Sequence, residues 1–218
     1  FGFVGISYLT FRVVQMIVEI YDGVIKEVSL VEITAFLAFF PSFSSGPIDR
    51  SRRFLADWNR VLPRADYMEL CGKGIWKLLL GAVYKMVIAA GAYKVMGYLE
   101  TGTAWYHWIG YAYAYGIYLF FDFAGYSMMA IGLGKMLGFT IPVNFRFPYM
   151  SKSVTEFWRR WHITLGRWFR EYVYIPLGGN RKGKARTMFN LFVVWVLTAL
   201  WHGAGGNFLI WGAMLLGL

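Results

Sequence analysis

Long apolar runs separated by short basic stretches set the pattern of this chain. Residues 101–121 and 187–218 contain no Asp, Glu, Lys or Arg, and each run exceeds the roughly 20 residues that a helix needs to cross a bilayer. Residues 33–48 are also uncharged but carry Pro41, Gly46 and Pro47, which predicts either a short span or a broken, re-entrant segment buried against protein. Phe1–Tyr21 reads as an apolar helix whose Arg12 and Glu19 must face other protein. "PSFSSGP" (residues 41–47) predicts a turn, and Asp49–Pro63 a polar, basic connector. Tyr67–Leu99 holds Lys73, Lys77, Lys85 and Lys94, so it is expected as a bundle helix with snorkelling or paired lysines.

The apolar run after Thr101 continues through Phe121–Phe139. There Ala124, Gly125, Ser127, Ala130, Gly132 and Gly134 would let helix backbones approach closely. Asp122 interrupts this greasy stretch and reads either as a cap at a helix break or as a buried functional carboxylate. Further on, Ser153 and Glu156 match a capping box. They predict the start of one helix in which Trp158, Trp161, His162, Leu165, Trp168, Phe169 and Tyr172 share a face. Arg159, Arg160, Arg167, Arg170 and Glu171 fall opposite them, a pattern suited to the membrane interface.

With 58% hydrophobic and 16% charged residues and a mean hydropathy of +0.46, the composition excludes an ordinary soluble domain. The net charge of +10 comes from loops and helix flanks, so membrane topology accounts for it better than nucleic acid does. Arg50, Arg52, Arg53, Arg60 and Arg64 follow one apolar run, and Arg181, Lys182, Lys184 and Arg186 precede another. Both basic stretches are expected on the cytoplasmic side. The segments 72–99 and 187–201 would then cross outward and 101–121 would return. A lone cysteine, Cys71, gives no internal disulfide, and no metal site is expected. Both ends fall inside apolar segments, so the chain reads as an internal piece of a longer membrane protein.

Three histidines remain. His107 sits among Trp105, Tyr106 and Trp108, where an interfacial ring needs no special task. His162, on the edge of the aromatic face, reads from physics alone as a core hydrogen-bonding residue or a functional one. His202, in "LWHGAGGNF", has Ala199, Gly203, Gly205 and Gly206 around it. Little bulk there keeps out another backbone or a substrate. A neutral imidazole can take a proton from a hydroxyl and make it a nucleophile toward an ester or thioester. No G-x-S-x-G elbow is present, and "GGNRKGK" lacks the spacing of a P-loop.

The segments "FPSFSSGPIDRSRRF", "LFFDFAGYSMMAIGLGKMLGF", "PVNFRFPYMSKSVTEFWRRWHITLGRWFREYVYIPLGGNR" and "LWHGAGGNFLIWG" together resemble the membrane-bound O-acyltransferases. Within that family, "SSGPIDRSRRF" and the first apolar segment look like the branch that adds D-alanine to teichoic acids. The "WRRWH" block is also similar to the alginate O-acetyltransferase branch. The resemblance implies an all-α, polytopic bundle over residues 1–218, a single domain with re-entrant or interfacial helices around a funnel and tunnel. It implies His202 as the catalytic base, with His162 and Asp122 orienting groups or stabilising charge. The donor would be a D-alanyl thioester on the phosphopantetheine arm of an acyl carrier protein at the cytoplasmic face, with no cofactor held by the chain itself. The acceptor would be a hydroxyl of teichoic acid or another extracellular polymer, in a multi-pass protein of a bacterial cell membrane. Acetylation of an exported polysaccharide such as alginate or cellulose is the alternative enzyme reading, and a non-catalytic scaffold or channel the alternative from another class.

Overall fold

In a computed structural model that describes residues 5–203 and 205–217, every regular element among the described residues is helical. The chain divides into two compact units, Phe1–Asn144 and Phe145–Leu218.

The first unit opens with α1 (Ile6–Tyr21), while residues 1–4 of that apolar run lie outside the described part. Arg12, Gln15 and Glu19 recur at helical spacing and all three are buried, as polar groups in an apolar segment must be if they are to find partners. The Arg12 guanidinium donates to the carbonyl oxygens of Phe36 (2.9 Å), Leu37 (3.3 Å) and Ser42 (2.9 Å). Gln15 donates to the Asp49 carbonyl at 3.1 Å, and the Ser51 hydroxyl donates to Glu19.

Those carbonyls are orphans of a helix that stops early. α2 (Leu30–Leu37) begins with a complete capping box from Ser29 and Glu32, and the chain then turns through a 3-10 segment at Phe40–Ser42. The run 33–48 is therefore the broken form. At eight residues α2 is too short to span, and a buried arginine satisfies the carbonyls that an uncapped helix end leaves open.

The stretch 49–63, expected as a connector, contains a helix, α3 (Ser51–Trp58). Its charges hide one decisive apolar position. Phe54 is fully buried, its ring 4.8 Å from Phe139, 5.2 Å from Phe39 and 5.4 Å from Phe36. Arg53 pairs with Asp49 and Asp57 and donates to the Thr140 hydroxyl at 2.8 Å, while Arg60 reaches Asp57 at 3.1 Å. Burial pushes the Asp49 carboxyl up, against the opposing pull of Arg53.

α4 (Arg64–Val83), a π turn (Tyr84–Ala89) and α5 (Ala90–Glu100) wind as one helix of 37 residues, against which α6 (Trp105–Met136) runs back. These two are long and apolar enough to cross a membrane. They meet backbone to backbone. A Cβ on Gly74 would lie 2.7 Å from the Gly132 carbonyl oxygen, and one on Gly81 2.6 Å from that of Gly125. The two crossings are seven residues apart, about two helical turns. All six small residues expected at a close approach, Ala124 to Gly134, are buried. The Tyr67 hydroxyl donates to the Met136 carbonyl at 3.0 Å, so the start of α4 and the end of α6 lie at the same end of the hairpin.

The second unit holds α7 (Val154–Arg160), α8 (Ile163–Phe169), a π turn (Arg170–Tyr174), α9 (Lys184–His202) and α10 (Gly206–Leu216). The uncharged run 187–218 is thus two helices meeting near Gly203, with Ala204 and Leu218 outside the described residues. α7 starts where Ser153 predicts, its hydroxyl accepting from the Glu156 amide at 3.1 Å. The return bond of the box goes one residue further back, to the Lys152 amide at 2.8 Å.

The single amphipathic helix expected beyond Ser153 is corrected to two. Trp161 is extended and His162 left-handed (φ 43°). The Arg160 carbonyl accepts from the Arg146 amide at 3.0 Å, so a neighbouring loop takes the acceptor that a continuing helix would use. The burial pattern still follows the expected face at Leu165, Trp168 and Phe169, with Arg159, Arg167 and Arg170 exposed.

Candidate functional site

Two of the three residues expected to carry chemistry lie in the second unit and come together around one indole. His162 sits at the break between α7 and α8, only 5% exposed. Its ring lies edge-on to Trp201 at 5.9 Å, and Trp201 is edge-on to His202 at 4.6 Å. A non-glycine residue with positive φ is uncommon, although His is among those enriched there. The left-handed turn at 162 aims this ring back toward α9 instead of along the α8 face.

His202 is the last residue of α9 and is exposed within the unit. Its Nδ1 lies 2.8 Å from the Thr198 carbonyl oxygen. A carbonyl can only accept, so Nδ1 carries the proton and the lone pair of the neutral ring is on Nε2. Trp211 stands edge-on at 5.0 Å and Phe208 stacks at 6.3 Å. Trp211 in turn belongs to a tryptophan group with Trp158 and Trp195, at 6.5 and 6.2 Å. The small residues around His202 are used by α10: a Cβ on Gly212 would lie 2.9 Å from that of Ala199, and one on Gly203 2.5 Å from the Phe208 ring. A neutral ring held at one nitrogen and open at the other is equipped to accept a proton.

Asp122 belongs to the first unit. α6 runs unbroken through it, so the reading as a cap at a break is corrected. The carboxylate pairs with Lys85, the second residue of the π turn. The same pair answers for one of the lysines that the sequence leaves in an apolar helix.

His107 lies in the first turn of α6, stacked on Tyr106 at 4.5 Å beneath Gly102. The basic loop after Pro176 is held structurally: Gly178 and Gly179 have positive φ, and Asn190 donates to the Gly179 carbonyl at 2.8 Å. Sequence reasoning did not single out Thr198, Trp201 or Trp211. Helical spacing of four between Thr198 and His202 was the available signal for the first.

The model of the membrane-bound O-acyltransferase family matches residues 14–217. The "Probable alginate O-acetylase" of Pseudomonas putida is 42% identical over 214 residues, covering 96% of this chain and 43% of its own. The teichoic acid D-alanyltransferase of Bacillus subtilis is 39% identical over 222 residues, covering 97% of this chain and 56% of its own. That of Streptococcus thermophilus is 38% identical over 225 residues, with 97% and 54% covered. The chain spans about half the length of these curated relatives.

Proposed function

Because the chain belongs to the membrane-bound O-acyltransferase family, we propose that it forms the catalytic centre of an enzyme that moves an activated acyl group to a hydroxyl of an extracellular cell-wall polymer, with His202 as the base. The observation that carries this is the bond from Nδ1 to the Thr198 carbonyl. It leaves Nε2 as the proton acceptor in a ring that is exposed at the end of a helix. Nε2 takes the proton of the acceptor hydroxyl as its oxygen attacks the donor carbonyl. The carbon–sulfur bond of a thioester then breaks, and the imidazolium returns the proton to the departing thiolate. His162, behind Trp201, is placed to hold the indole and through it the base. Asp122 is the weaker member of the set, since its partner in the first unit is Lys85.

The D-alanyl reading takes its donor from a phosphopantetheine thioester on a carrier protein at the cytoplasmic face, and its acceptor from teichoic acid, with the polymer reached through a funnel and tunnel in a multi-pass bacterial membrane protein. The acetyl reading is favoured by the slightly higher identity to the alginate relative, 42% against 39%. Vesicles holding the full-length protein, given labelled D-alanyl carrier protein or a labelled acetyl donor, separate the two by which label reaches polymer. His202→Ala is expected to abolish acylation at normal protein levels. Unchanged acylation would leave only a scaffold or channel.

A further inference from the structure

The helix hairpin of the first unit carries a second charged cluster, away from its ion pair at Asp122. Lys73 and Lys77 are one turn apart on α4, on either side of Gly74, and so share a face. Where α6 crosses at that glycine, the Lys135 β-carbon comes within 3.2 Å of the place a Gly74 Cβ would occupy. Lys135 is thereby set against the part of α4 that carries Lys73 and Lys77. Glu69 answers Lys73. Lys77 and Lys135 are half-buried, and neither has an ion-pair partner among the described residues. The C-terminal dipole of α6 accounts for one cation in its last turn, Lys135, and leaves the convergence of three unexplained.

The surroundings indicate what would answer these charges. Ile75, Trp76 and Leu79, on the same stretch of α4, are 47%, 66% and 56% exposed, in a helix long and apolar enough to cross a membrane. Lys135 is the penultimate residue of α6, which places the cluster at the end of the hairpin, where a pair of spanning helices would meet the headgroups. Cations at that depth beside an apolar strip suit an amphiphile with an anionic head. An acidic soluble protein would have to lie against that exposed apolar strip to reach them.

We propose that Lys73, Lys77 and Lys135 bind the phosphate headgroup of an anionic phospholipid whose acyl chains lie along Ile75, Trp76 and Leu79. The test uses the full-length protein in nanodiscs of phosphatidylcholine with and without phosphatidylglycerol, with retained lipids counted by native mass spectrometry. The wild type should retain phosphatidylglycerol in preference to phosphatidylcholine. At about fivefold per lysine near a membrane surface, Lys77→Gln with Lys135→Gln should reduce that preference by roughly tenfold or more, whereas Lys184→Gln should not change it. Should the double variant fail to accumulate, Lys77→Gln alone is read, with about a fivefold loss expected. Retention equal to wild type in the lysine variants overturns the proposal. So does displacement of the lipid by inorganic phosphate alone at millimolar concentration, which would mark a site for a free anion, and so does loss of the lipid only when an acidic carrier protein is added.

Discussion

A Cβ at Gly203 would come within 2.5 Å of the Phe208 ring, whereas one at Gly206 meets nothing within 4 Å. Gly203 and Gly206 of "HGAGG" are therefore not equivalent. Gly203→Ala must push Phe208 off its place beside His202, and acyl transfer by the full-length enzyme is expected to fall at least tenfold with the protein still accumulating. Gly206→Ala should leave the rate within about twofold. Equal effects of the two substitutions, measured as label on polymer per unit protein, would contradict this account of the site. At Arg12 the expectation concerns stability. Arg12→Leu leaves the Phe36, Leu37 and Ser42 carbonyls without their donor, and a buried polar group left unsatisfied costs about 1–3 kcal/mol. The full-length variant should lose accumulation and thermal midpoint in detergent, more so than Lys26→Leu at an exposed position.

Among the elements, the α4–α6 hairpin closes backbone to backbone at paired glycines. Gly132→Leu would drive a side chain into the Gly74 backbone, and overpacking of this kind typically costs about 1–3 kcal/mol. A lowered thermal midpoint is expected, with Gly72→Leu, which meets open space, as the matched control. α7 gives a pH dependence. The Lys152 amide, followed by Arg160, holds the Glu156 carboxyl below its ordinary range. A carboxylate with a depressed folded value stabilises its helix above the unfolded value of about 4.3 and loses that contribution as pH falls through the folded one. Hydrogen exchange in residues 154–160 should therefore be protected at pH 5 and accelerate more steeply below pH 4 than in α9, after correction for intrinsic rates.

Much of this element structure was legible in advance. The apolar runs, the turn at 41–47 and the start at Ser153 all follow from local chemistry, and the small residues of α6 identify their own packing face. The helix α3 and the break at Trp161 were not legible, because both are decided by distant partners. Phe139 buries Phe54, and the Arg146 amide takes the carbonyl of Arg160. In the site, the two histidines stand out in the sequence. The indole between them and the carbonyl behind one of them become visible only once the backbone has been folded.

For the whole molecule, charge sets the expectation. Arg52 is exposed on α3, and Lys182 lies exposed in the basic loop. In a full-length protein with Cys71 and every cysteine outside this chain replaced by serine, single cysteines at positions 52 and 182 should both react with an impermeant thiol reagent from the cytoplasmic side only. Labelling from opposite faces would remove the assignment of outward crossings for α4 and α9.

The π turn at Tyr84–Ala89 divides the long helix into two stretches that can evolve separately. A π turn holds one residue more than the α winding it replaces, so deleting one of its six residues would restore regular α winding and leave Met96 on the face it now buries. The glycine crossings upstream would keep their register. A one-residue change in length can thus be absorbed at this joint while both halves of the hairpin keep the faces by which they pack.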